Sequence, residues 1–354
     1  MQSKQTHSTT NYCTIYLRVL YLLPLFTLFQ KSSSLSMQSS SNTVKLSFRE
    51  NSIHDTTESP PPPTLFLHGL DSSSHTWRNN LDKLGSKAVA LDLRGCGNSP
   101  LGDPKDFSPD GIVNDIHAFL CSHPYFCCRD KVDDTAINAD AGADDHSANI
   151  IPFVMTGHSM GGRIAMSFAA RYPELIKALV IEDMDVRTRP MEMNIFQSQN
   201  RDATVNFNRC MGGTDENQLI DCFEREGYPG DSVRKWLKEG RLELKDDGSY
   251  YSQVNPAFRI LCYEQFFVTS HGEDTWMELV EQSKYRFPVH VMVADKEKTV
   301  CDEESLWFMK DTMKKGEKFM VLHRYKGATH SIHNSAQKDF LKDLATIIRT
   351  ASLT

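Results

Sequence analysis

Residues 151–162 read IPFVMTGHSMGG, and the segment Gly157-His158-Ser159-Met160-Gly161 sets a serine between two glycines where an apolar run gives way to a helix-like stretch. This is G-x-S-x-G in a strand–turn–helix setting, the context that exposes a serine as a nucleophile. The glycines have a steric purpose. The turn is so sharp that side chains at 157 and 161 would meet neighbouring backbone, and the N-terminus of the following helix points at Ser159. A serine hydroxyl attacks poorly at neutral pH unless a base lies within hydrogen-bond reach. His330, in YKGATH (325–330) after the last apolar run, is the expected base; His333 is its nearest rival, and His323 falls inside the run itself. The base in turn needs a carboxylate to hold its tautomer and to stabilise the imidazolium. Two places offer one: Asp183 ends ALVIED with Glu182 and Asp185 beside it, and Glu297 lies in ADKEKTV (294–300) with Asp295 nearby. Acyl transfer further requires N–H donors aimed at the oxyanion, each worth about 3 kcal/mol of barrier. His68-Gly69-Leu70-Asp71 follows another apolar run, so the backbone amides of Leu70 and Met160 are the expected pair, with His68 packed behind the loop.

These groups need a scaffold that delivers them to one edge. Apolar runs at Thr64–Leu67, Ala88–Leu93, Ile151–Met155, Ala178–Ile181, Val289–Ala294 and Phe319–Leu322 are mostly continuous, as strands buried on both faces of a parallel sheet are. Val44–Arg49 alternates like a first strand, and the four prolines 60–63 lead extended chain into the second. Helical spacing is predicted at 109–121, 161–171, 303–315 and 335–349. Strand and helix alternate, which is an α/β architecture with a mostly parallel sheet flanked by helices. Two stretches break the rhythm. Residues 122–148 carry six aspartates among small residues and read as a solvated surface insertion. Residues 184–286 have helical character without an evident strand run and would form a cap over the carboxyl ends of the sheet. The expected organisation is thus 1–43 targeting or unstructured, 44–183 core, 184–286 helical cap, and 287–354 the rest of the core.

The 354 residues include 39 Lys and Arg against 46 Asp and Glu, so the basic surplus that phosphate-backbone binding requires is missing and no nucleic-acid partner is expected. Nine scattered cysteines form no C-x-x-C pair, so free thiols are the default, and the acidic insertion has no D-x-D-x-D-G loop closed by a glutamate. Neither a metal nor a cofactor is expected. Ile15–Phe29 is apolar but short for a span and is interrupted by Arg18 and Pro24. It suggests secretory or organelle targeting, or a cytoplasmic protein if translation starts at Met37, and it is the only segment expected to touch a membrane.

The segments FLHGLDSSSHTWRNN (66–80), ALDLRGCGNSP (90–100), GHSMGGRIAMSFAARYPELIKALVIED (157–183) and GATHSIHNSAQKDF (327–340) together resemble the α/β-hydrolase fold family over roughly residues 44–350. Within it they are most similar to the small esterases that include bacterial YbfF-type enzymes and mitochondrial α/β-hydrolase-domain proteins. That group carries its acid at the end of the strand after the nucleophile, which the resemblance transfers to Asp183 ahead of Glu297. In the cap, YYSQVNP (250–256) resembles a group segment that precedes pocket-lining helices. Two departures stand out: EDMD (182–185) replaces a shorter pattern, and Glu297 stands where the group usually has no acid. The resemblance implies a serine hydrolase acting on a small-molecule ester or thioester of a small to medium acyl group. C–C bond hydrolysis or a lyase reaction on the same fold, or a low-turnover binding protein, are the alternatives. Epoxide or haloalkane chemistry is disfavoured, because those relatives attack with an aspartate at the elbow.

Overall fold

The computed structural model describes residues 43–53, 60–127, 150–187, 210–213, 215–226, 228–238, 242–244, 246–252, 256–267, 272–282, 286–295 and 300–353. The apolar segment 15–29 and most of the acidic insertion, 128–149, lie outside them.

A seven-stranded sheet runs in the order β1-β3-β2-β4-β5-β8-β9, where β1 is Phe48–Glu50, β2 Thr64–Leu67, β3 Ala88–Leu91, β4 Phe153–His158, β5 Ile176–Glu182, β8 Val289–Ala294 and β9 Met320–Tyr325. Only β1 is antiparallel to its neighbour, β3; every other pairing is parallel. The continuous apolar runs have the expected cause. Leu65 and Leu67 of β2 enter one core layer with Ile112, Val113 and Ile116 of helix α1 (Pro109–Ser122) and Ile164, Ala165 and Phe168 of α2 (Met160–Arg171). Phe66, between those leucines, faces the opposite layer with Trp77 and with Phe340, Leu344, Ile347 and Ile348 of the C-terminal helix Gln337–Ala351. Strand side chains alternate between faces, so a sheet covered on both sides needs apolar residues at every position.

The N-terminal strand is shorter than its alternation suggests. Val44 and Leu46 are buried, but the Val44 and Ser47 amides donate to the side chains of Asp115 and Ser99, so ladder pairing begins only at Phe48. Between β5 and β8 the described residues include α3 (Glu216–Arg225), α4 (Gly230–Lys238), α5 (Pro256–Leu261, running into a π turn at Cys262–Phe266) and α6 (Gly272–Glu281). This stretch also holds an antiparallel hairpin, β6 (Leu242–Leu244) with β7 (Tyr250–Ser252), where no strand was expected. Three-residue strands are too short to leave an alternating pattern. A small core of its own, Leu219, Ile220, Phe223, Val233 and Leu242, surrounds a Cys210–Cys222 disulfide, which corrects the expectation of free thiols at these two positions.

Burial has a consequence for acid stability. It lowers the pKa of His158 to about 3, and those of His123 and His290 to about 4. The unfolded chain protonates these rings near pH 6.5, whereas the folded chain refuses the proton until far lower pH. Stability is therefore full above about pH 6.5 and falls as pH drops toward 4, by up to about 1.4 kcal/mol per pH unit for each ring. Urea midpoints should decrease in order from about pH 7.5 to 6 to 5; a midpoint that holds or rises at pH 5 would contradict this.

Candidate active site

Strands β2, β4, β5 and β9 and their following loops deliver the predicted residues to one edge of the sheet. Ser159 sits between β4 and α2 with φ +54° and ψ −124°. A Cβ at Gly157 would collide with the Gly161 carbonyl, and one at Gly161 would fall 2.6 Å from the His68 oxygen, so both glycines are imposed by the turn. The Ser159 amide donates to the Glu182 carbonyl at 2.9 Å, which fastens the turn to the end of β5. Non-glycine residues with positive φ are Asp71, Ser159, Asp183 and Glu317 among those described. Three of these four stand at the ends of β2, β4 and β5, and backbone strain of this kind persists only where surrounding contacts hold it.

Asp183 is fully buried. Its carboxylate accepts the Ala294 and Val300 amides at 3.3 and 3.4 Å and faces His330 Nδ1 at 2.7 Å. An acceptor-only carboxylate requires Nδ1 to carry the proton, which leaves Nε2 of a neutral His330 with its lone pair. The His330 side chain is 35% exposed, whereas its sequence rival His333 is 0% exposed. His333 belongs to a second buried pair. Its amide donates to Glu182 Oε1 at 2.9 Å, its Nδ1 meets both Glu182 oxygens at 2.8 and 3.0 Å, and its Nε2 meets Thr76 Oγ1 at 2.8 Å. Burial pushes the Glu182 carboxyl up, but the interaction with His333 and the hydrogen bonds from its ring and amide outweigh it and hold the pKa below the usual value.

His158 connects the two pairs. Its Nε2 donates to the His330 carbonyl at 3.1 Å, and its ring lies 4.7 Å from that of His330 and 5.0 Å from that of His333, centroid to centroid. Burial keeps it neutral. His158, Glu182 and His333 lie close enough to suggest three metal ligands. Glu182 and His333 already satisfy one another, however, so this donor set is a hydrogen-bonded support beneath the turn.

Gly69 passes over the turn so closely that a Cβ there would lie 3.0 Å from Ser159 Cβ, and Leu70 is the next residue of this loop. Met160 opens α2, where its amide has no intrahelical acceptor. His68 is buried behind the loop: Nδ1 donates to the Gly69 carbonyl at 2.8 Å, and Nε2 accepts the Leu93 amide at 3.1 Å. Asp185 pairs with Arg163 at 3.0 Å, and Asp295 accepts the Gly327 amide. His323 lies on β9, with Asp343 at 3.3 Å and His290 at 3.1 Å. Glu297 lies outside the described residues. The sequence reading missed Asp71, which pairs with Arg259 of α5.

A model of the alpha/beta hydrolase family matches residues 64–343. A Saccharomyces cerevisiae protein named "Probable alcohol acetyltransferase" is 30% identical over 37% of the chain and 33% of its own length. The sn-1-specific diacylglycerol lipase ABHD11 of Xenopus tropicalis is 30% identical over 35% of the chain and 32% of its own. The chain therefore matches about a third of the length of each of these curated relatives. A solved marine microorganism esterase superposes with a TM-score of 0.58 at 19% identity, over 86% of the chain and all of its own.

Proposed function

Since the chain belongs to the α/β hydrolase family, we propose that it is a serine hydrolase that cleaves carboxylic esters or thioesters of small to medium acyl groups through an acyl-enzyme. The observation that carries this reading is the 2.7 Å contact between His330 Nδ1 and buried Asp183, beside a serine held at φ +54°. His330 Nε2 removes the Ser159 proton as Oγ attacks the carbonyl carbon. The Leu70 and Met160 amides receive the oxyanion. His330 then protonates the departing alcohol or thiol, and afterwards activates water to release the acid and restore Ser159. Asp183 takes the part of the acid, and Glu182 with His333 supports the turn from below. Every step uses groups of this chain and calls for no cofactor.

Residues 44–183 and 287–354 act as the catalytic core in this reading, with 184–286 as the cap that selects the acyl group. The likeness to a yeast protein named for alcohol acetylation favours one further outcome, capture of the acyl-enzyme by an alcohol in place of water.

The test is steady-state turnover by the full chain of p-nitrophenyl esters of increasing acyl length and of matching thioesters, with and without an added alcohol. Many product molecules per protein, with a preferred chain length, are expected. A single burst of product without further turnover would replace this reading with that of a binding protein.

A further inference from the structure

The ion pair between Arg259 and Asp71 has no part in the mechanism so far. Arg259 Nε donates to Asp71 Oδ1 at 2.8 Å, and its Nη2 pairs with Asp71 Oδ2, so the planar guanidinium grips the carboxylate with two parallel contacts. The side chains are 31% and 30% exposed. Asp71 directly follows Leu70 and has φ +54°, a left-handed conformation that is uncommon for residues with a side chain and that aspartate adopts when its carboxylate finds a partner. Its peptide neighbour therefore owes its orientation to whatever fixes Asp71.

The α5 segment does not depend on Arg259 for its own attachment. Phe258 is fully buried with its ring 5.6 Å from that of Phe107, and Gln265 takes the Phe107 amide at 3.0 Å while donating to the Pro104 carbonyl at 2.5 Å. A tether between this segment and the core thus exists without the ion pair, and the two-point grip falls on the positive-φ residue that directly follows Leu70.

We propose that Arg259 is a positioning residue for the hydrolysis proposed above, on which this inference rests: it holds Asp71 in its left-handed conformation and so aims the Leu70 amide at the oxyanion. The oxyanion hole is complete only while this arginine of α5 grips the loop. A simple tether would affect stability and substrate binding; a positioning residue affects the step in which the oxyanion forms.

The test compares Arg259→Gln, Arg259→Lys, Asp71→Asn and the double variant Arg259→Gln/Asp71→Asn in the full chain. For an acyl ester, kcat should fall about 10- to 100-fold in Arg259→Gln and Asp71→Asn, with KM nearly constant. The double variant should be no slower than the slower single, because both remove the same contact. Arg259→Lys should recover part of the rate, since a lysine keeps the charge and loses the fork. A trifluoromethyl ketone, which becomes a tetrahedral oxyanion on Ser159, should lose inhibitory potency in the same proportion as kcat.

Wild-type kcat in Arg259→Gln, even with a lowered melting temperature, would overturn the proposal. So would losses that multiply in the double variant. Fluorophosphonate labelling of the wild-type chain separates the two levels: an unlabelled folded wild type rejects the hydrolase reading and this inference with it, whereas a labelled wild type with unchanged variants rejects the inference alone.

Discussion

Ser159→Ala is expected to lower kcat for ester hydrolysis by about 10⁶-fold, down to the background that binding and the oxyanion donors sustain without a nucleophile. Folding should be unaffected, because alanine keeps the Cβ and meets φ +54° as badly as serine does; only Oγ is lost. Ser159→Gly should be equally inactive but more stable by about 1 kcal/mol, since glycine adopts a left-handed conformation freely. The pair of variants separates the two properties of this position. Turnover measured beside urea midpoints checks both, and residual hydrolysis near the wild-type rate in either variant would remove Ser159 from the mechanism.

The second large effect is expected at Asp183. Asp183→Asn should lower kcat by about 10⁴-fold with the fold retained. An amide at 183 can still accept the Ala294 N–H through its oxygen, while the Val300 N–H, which donates to the oxygen that faces His330, loses its acceptor. Its nitrogen would then face His330 Nδ1, which would have to lose its proton, and the proton would move to Nε2, where the base is required. Glu182→Gln should act differently. Weakening the buried hydrogen bonds between Glu182 and His333 costs about 1.5–3 kcal/mol of stability, so the melting temperature should fall with a smaller change in kcat than at Asp183. Glu297→Gln should leave kcat close to wild type. A collapse of kcat in Glu297→Gln, with Asp183→Asn active, would transfer the acid to the loop after β8.

The turn at Ser159 was legible because sterics leave little choice: positions 157 and 161 face backbone atoms, so the glycines announce the geometry. His330 is preferred to His333 on its position in the chain, without the physical reason that separates them. Spacing brings both to the same loop, and they differ in that Glu182 captures His333 in the interior while His330 stays partly open. Adjacent acids at the end of one strand diverge to different partners, which makes Glu182 and Asp183 hard to separate by sequence alone. Near-continuous apolar strands were readable since both sheet faces are covered, whereas the β6–β7 hairpin and the Cys210–Cys222 bond were not. Three-residue strands leave no period, and cysteine spacing does not determine pairing. Asp71 gave no signal of its own, since its partner lies 188 residues further along the chain.

The most direct test of an activated serine at this turn is the mass and position of the adduct formed when the full chain reacts with a fluorophosphonate. We expect one adduct per chain, mapped to the peptide containing Ser159 and absent from folded Ser159→Ala. An unmodified but folded wild-type chain, or an adduct that persists at another residue in Ser159→Ala, would contradict the account.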